Sequence, residues 1–470
     1  MPRMTTFAID PRWAWSSYEP SKDQPWNLRL AGHLYRRAAF GATWAQLHQA
    51  VENGPGRTID LLLQGGAGQE DFARRAETMG QTLARGVEDN SLRAWWLYVL
   101  LNSPHPLQEK LTLFWHNHFA TSNAKVNNIA QMWQQNQLLR RHALGSFRTL
   151  LQEMSKDPAM MVWLDTVLSK KGQPNENYAR EVMELFSLGR GNYTEKDIRE
   201  AARAFTGWEV KEEKFHFNRA QFDATPKTVF GKTGNFGGEE IVNLCLDKPA
   251  CARFLVRKLF RYFISERLQP TEELLEPLAA KLRENEYQIG LVVEVMLRSN
   301  LFFSEHSYRN RIKSPVDFTV GTVHILEGRV NTVTLSQALD NLGQRLFAPP
   351  SVKGWDGGET WLNSTTLLLR QNLALALTST EDNRFGQRAD PVNIVQKYHV
   401  PDEDEALVTF FAQLFMQDDL PPDSRARLLA YARDSRRRTY PPFWSAEDVV
   451  SHRYRALCYL VLTQPEYQLD

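Results

Sequence analysis

Apolar residues recur at helical spacing in one segment of this chain after another, and that period changes only once. From Leu28 onward the apolar stripes are closed by breakers such as Phe40-Gly41, Asn53-Gly54-Pro55-Gly56 and Gly207-Trp208. A chain patterned in this way folds by packing helices on helices. The exception is Glu209 to Asp223, where Phe215, Phe217 and Phe222 stand in an alternating apolar and polar stretch. The glycine-rich KTVFGKTGNFGG, Lys227 to Gly238, follows it. The expected fold is therefore mainly α, a large multi-helix domain with a minor β-hairpin or extended lobe near 209–236.

Breakers and composition shifts suggest three parts. Residues 1–27 read as an extended segment. Residues 28–378 read as a helical core domain carrying the β and glycine-rich insertion at 209–238. Residues 379–470 read as a C-terminal helical subdomain packed on the core, behind a polar linker at 379–391. Of the 470 residues 42% are hydrophobic, enough for a large buried core. The 56 basic and 55 acidic residues balance, which argues against nucleic acid as a partner. No run approaches the roughly 18–20 apolar residues of a membrane span. Three cysteines, Cys245, Cys251 and Cys458, make neither a disulfide framework nor a zinc knuckle. The first residues lack the apolar stretch of a signal peptide, so a cytoplasmic protein is expected, with a periplasmic one the alternative if the N-terminus is incomplete.

Chemistry concentrates in Asn175 to Gly191, NENYAREVMELFSLGRG. It reads as a short helix with Asn175 as cap and Gly189 as stop. Asn177, Glu181 and Glu184 fall at i, i+4 and i+7 and share one face. Two carboxylates and an amide on one face can hold a metal or share a proton; Glu176, Arg180 and Glu184 can equally form a solvated ladder of ion pairs. A second cluster is His116-Asn117-His118 in FWHNHFATS. On a helix those rings lie about 200° apart and cannot face one ion, so they converge only if the helix frays at Asn117. The GKT at Gly231 to Thr233 is not a P-loop, because the required earlier glycine is Pro226. A third stretch, FAPPSVKGWDGGETWLNSTTLLLRQN, sets Trp355 and Trp361 among glycines, as pocket walls or as pins to the core.

These stretches together resemble a bacterial family catalogued as domain of unknown function 1800. The resemblance is carried by HLYRRAAFGAT, LTLFWHNHFATS, KDPAMMVWLD, NENYAREVMELFSLG, YTEKDIREAARAFTGW, KTVFGKTGNFGGEEIV, FLVRKLFRYF, IKSPVDF and the Trp355 stretch, and covers the chain from residue 28. It implies a mainly helical bacterial protein. It also implies a neighbour of the family numbered 1501, which looks like the alkaline phosphatase–sulfatase superfamily. Two positions depart from the family's pattern. Phe222-Asp223 replaces its usual His-Asp, and Thr166 replaces its usual Asn or Gly.

Two functions stand open on this reading. In the first, His116, His118, Glu181 and Glu184 converge as ligands of a divalent metal ion, or Glu181, Glu184 and His116 act catalytically in a hydrolase. Asn177, Arg180, Lys227, Lys232, Asn235 and Trp355 then contact the substrate. In the second, the chain is a non-catalytic scaffold, and the loops around Trp208 and Trp355 bind a partner of the 1501 family.

Overall fold

The computed structural model describes residues 9–379 except 87, and 382, 384–386 and 390–470. Part of the linker expected at 379–391 lies outside these residues. The fold is mainly helical, with two small antiparallel hairpins as its β-structure among the described residues. The first pairs Trp208–Lys211 with Lys214–Phe217, Trp208 opposite Phe217. The second pairs Lys227–Val229 with Lys232–Gly234. The alternating stretch and the glycine-rich loop are thus two consecutive hairpins.

Three local expectations need correction. Residues 1–27 are not uniformly extended, because Pro11–Trp15 is a helix capped by Asp10. The break at 53–56 is a kink at Gly54 (φ 75°) inside Trp44–Gln64, and Pro55 follows it as a helix start can. Gly65, Gly66 and Gly68 connect this helix to the next, Gln69–Leu83. The long helix expected from Val126 to Leu144 is Asn123–Val126 and Ile129–Arg141, separated where Asn127 turns left-handed (φ 49°).

One helix organises the packing. Pro106–His118 starts on a proline and buries nearly its whole circumference. Leu107, Leu111, Phe114 and Trp115 join one apolar cluster, with Tyr178, Val182, Phe186, Leu255 and Leu259. Leu113 joins another, with Trp96, Val316, Leu373 and Phe411. A helix apolar on one stripe can turn its polar residues to water; this one cannot, so they need partners inside the protein. Glu109 receives Arg140 at 2.5 Å and the Trp96 indole N–H at 3.3 Å. Lys110 donates to Asp317 at 2.6 Å and to the Arg36 carbonyl at 3.1 Å. The helix end, His116-Asn117-His118, is the start of the functional site.

Candidate functional site

The three residues ending this helix each tie down a different segment. The His116 ring lies among Trp96, Phe347 and Trp355, with centroids 5.1–5.7 Å away, and its Nε2 accepts the Phe347 backbone N–H at 3.2 Å. Asn117 grips Trp355 twice, accepting its backbone N–H at 2.7 Å and donating to its carbonyl at 3.3 Å. His118 faces the other way and donates its Nε2–H to the Phe186 carbonyl at 3.1 Å. The helix does not fray at Asn117, so the histidines diverge as helical geometry requires and share no ion. Among the described residues no group of three or more His, Cys, Asp or Glu is placed to hold a metal.

Burial sets the state of both rings. It drives the His116 imidazolium value down to about 3. Burial, then the neighbouring Lys258, drives that of His118 well below the ordinary value. Both are therefore neutral in the fold. The unfolded chain takes up a proton at each below pH 6.5, the fold does not, and stability present above that pH is lost as pH falls. At pH 5 the loss from His116 is about 2 kcal/mol. We expect urea denaturation of His116→Gln to show a correspondingly smaller change between pH 7 and 5 than wild type. Equal pH dependence in the two proteins would mean that His116 is not held neutral.

His118 meets the Asn175 stretch where that helix changes pitch. Asn177–Glu181 is α-helical and Val182–Ser187 is a π-helix. Leu188 N–H bonds the Met183 carbonyl at 2.8 Å, five residues back, and the Ser187 hydroxyl bonds the Val182 carbonyl. A π-turn withdraws carbonyls from the regular ladder, and such turns recur at functional sites. His118 takes the Phe186 carbonyl, while the Lys258 ammonium, 3.0 Å from His118 Nδ1, reaches the Leu185 carbonyl at 3.5 Å. His118 Nδ1 therefore carries the lone pair. The WHNHF and NENYARE segments do come together, through backbone carbonyls rather than carboxylates.

The family follows from the same residues, since a model described as "Protein of unknown function (DUF1800)" matches residues 33–469. This chain belongs to the DUF1800 family. No curated protein and no solved structure matched it. Within this DUF1800 protein the exposed side of the π-turn carries the titratable groups. Glu184 accepts the Arg190 Nε–H at 2.6 Å and the Tyr193 hydroxyl, which hold its carboxyl below the usual range. Glu181 has no hydrogen-bond or ion-pair partner among the described residues, and burial, then Glu184, pushes its carboxyl up. Arg180 is bidentate to Glu195 at 2.9 Å and reaches Glu176 at 3.3 Å, so part of the solvated ladder forms as well. Asn177 donates to Asp165 at 3.2 Å.

The remaining expected contacts separate. Lys227 is buried and donates to the Asp223 and Thr225 carbonyls at 2.6 and 3.1 Å, a structural role. Lys232 and Asn235 are exposed on and beside the second hairpin. Trp355 and Trp208 are 8% and 4% exposed, so they pin their loops inward and do not form the expected contact surface. Lys258 was not among the expected site residues. It lies in FLVRKLFRYF, where it looks like one cation among three; its contact with His118 Nδ1, invisible before folding, distinguishes it.

Proposed function

We propose that this DUF1800 protein is a carboxylate-dependent acid–base enzyme centred on the π-turn. The observation that carries the reading is that Glu181 and Glu184 share one short helical face while their surroundings push their proton affinities in opposite directions. Such a divergence separates an acid from a base. Glu181, whose carboxyl is pushed up, is the one that takes and gives the proton, and Glu184, held down by Tyr193 and Arg190, supplies the charge. Arg180 and Asn177 are the polar groups of the same short helix through which an anionic or polar substrate is held. The reading needs no metal ligand set.

Two measurements test it. Side-chain carboxyl NMR should show Glu181 titrating above and Glu184 below ordinary glutamate; titration together at ordinary values would remove the premise. Purified protein screened on chromogenic esters, phosphate and sulfate monoesters and glycosides should lose turnover by about 10²-fold or more in Glu181→Gln, the usual worth of a positioned acid–base group. Turnover insensitive to Glu181→Gln would end the proposal.

One observation favours the scaffold reading, on a different surface from the tryptophan loops. Leu367, Leu368 and Leu375 on the helix Ser364–Thr378 are 39%, 57% and 48% exposed, and Phe443 is 82% exposed. Exposed apolar side chains of this kind can seat a partner protein, here a 1501-family neighbour. Co-expression with such a neighbour should give one gel-filtration peak that Leu368→Glu splits; two separate peaks for wild type would sink this reading.

A further inference from the structure

The helix Pro249–Phe263 presents four cations, and three of them have ordinary oxygen partners. Arg253 pairs with Glu276 at 2.7 Å, Arg257 reaches Glu272, and Arg261 donates to the Asp356 carbonyl at 3.0 Å. Lys258 differs. Among the described residues its ammonium meets no carboxylate. Its contacts are the His118 lone pair, the Leu185 carbonyl and the face of Phe254, 5.1 Å from the ring centroid. Of the carboxylates on the adjacent stretch, Glu184 bonds Arg190 and Tyr193, and Glu181 makes no hydrogen bond or ion pair among the described residues. The residue as a whole is only partly buried. A lysine that is desolvated, lacks a counter-ion and neighbours another cation is in the environment that makes an amine nucleophilic. Burial, then Arg261, brings its ammonium value down to about 7.

We propose that Lys258 is a reactive amine that condenses with a small aldehyde or ketone. The Nζ lone pair forms the new C–N bond while the carbonyl π pair moves to oxygen, giving a carbinolamine after proton transfer from nitrogen to oxygen. Uptake of one proton from solvent expels that oxygen as water and leaves an iminium on Lys258. No oxidant or reductant is consumed. His118 is a positioning residue: its Nε2–H is committed to Phe186, so Nδ1 accepts an N–H of the amine and aims the remaining lone pair.

The test uses the full chain with glyoxylate or acetaldehyde as probe and cyanoborohydride to trap the iminium, read by peptide mass spectrometry. At pH 7, Lys258 should be alkylated about tenfold or more faster than the exposed Lys232, with a rate rising through pH 7; among the described residues His118 and Arg261 are the titratable and charged groups that face it. His118→Gln should reduce that preference, and the Lys258 peptide of Lys258→Arg should carry no label. Labelling of Lys258 no faster than Lys232 would overturn the proposal and leave the lysine a clamp on the π-turn carbonyls. Since the readout is labelling rather than turnover, that failure would leave the carboxylate reading standing.

Discussion

Asp317→Ala is expected to destabilise the protein by about 3–5 kcal/mol, the cost of leaving a buried charge without its partner. Asp317 and Lys110 are 4% and 0% exposed and 2.6 Å apart. Asp317 also accepts the Ser314 hydroxyl and backbone N–H as the third residue of a capping box, and Arg311 lies 3.8 Å away. Burial alone would raise its carboxyl; Lys110 and Arg311 hold it well below the carboxylate range. The surroundings sharpen the effect. Arg36, Arg37, Lys110, Arg311, Lys313 and Arg370 are all buried around Asp317, Asp470 and the partly buried Glu266, so cations outnumber carboxylates. Burial and Arg311 already lower the Arg37 guanidinium to about 9, and burial lowers Lys313 to about 7. The double variant Lys110→Met, Asp317→Leu should recover much of the loss, because an apolar pair carries no desolvation penalty. Urea denaturation measures both. A loss below about 1 kcal/mol in the single variant would mean that the pair is solvated.

Gly354→Ala is the second large effect, expected at about 2–4 kcal/mol. Gly354 sits at φ +84°, where an L-residue costs about 1–2 kcal/mol. A Cβ there would lie 2.2 Å from Asn117 Oδ1 and 2.5 Å from the Asn117 carbonyl oxygen, and the latter cannot swing aside. Asn117 would have to release one or both of its bonds to Trp355, each worth about 0.5–1.5 kcal/mol. The loop carrying Trp355 would then detach from the WHNHF turn. Tryptophan fluorescence should shift with the stability loss, and Gly357→Ala, whose nearest side chain stands 3.4 Å off, should cost less. Equal losses at the two glycines would show that backbone strain alone, not the Asn117 contact, is responsible.

Much of the helical architecture was readable because helical period and capping are local signals. Thr194 with Asp197 forms the capping box its spacing suggests, and Ser314-Pro315 opens a helix, with Asp317 completing a second box. The first hairpin was readable from alternation, but its turn was not: Glu212 and Glu213 both take positive φ, at residues that carry no turn signal. The site was half-readable. NENYARE and WHNHF are adjacent, yet which atoms meet depends on the π-turn, and nothing in the spacing of Val182 to Ser187 marks the pitch change. Once the pitch changes, carbonyls need donors, and His118 and Lys258 become those donors instead of ligands. The Pro106–His118 helix reads as strongly apolar, but that its polar Glu109 and Lys110 are buried struts shows only in the fold.

The buried cations also bear on how the protein is made. Asp470 is held by its backbone N–H on the Arg311 carbonyl at 2.8 Å, Gln468 accepts the Lys313 N–H at 2.9 Å, and Arg370 bonds both Gln468 and the Lys313 carbonyl. Arg36 and Arg37 leave the ribosome more than 400 residues before the carboxylate that helps neutralise them. Until residue 470 emerges, a nascent chain that has packed its first helices carries a cluster of desolvated, mutually repelling charges. Synthesis therefore runs ahead of electrostatic closure, and the early helices are expected to stay wet, or chaperone-bound, until Asp470 arrives.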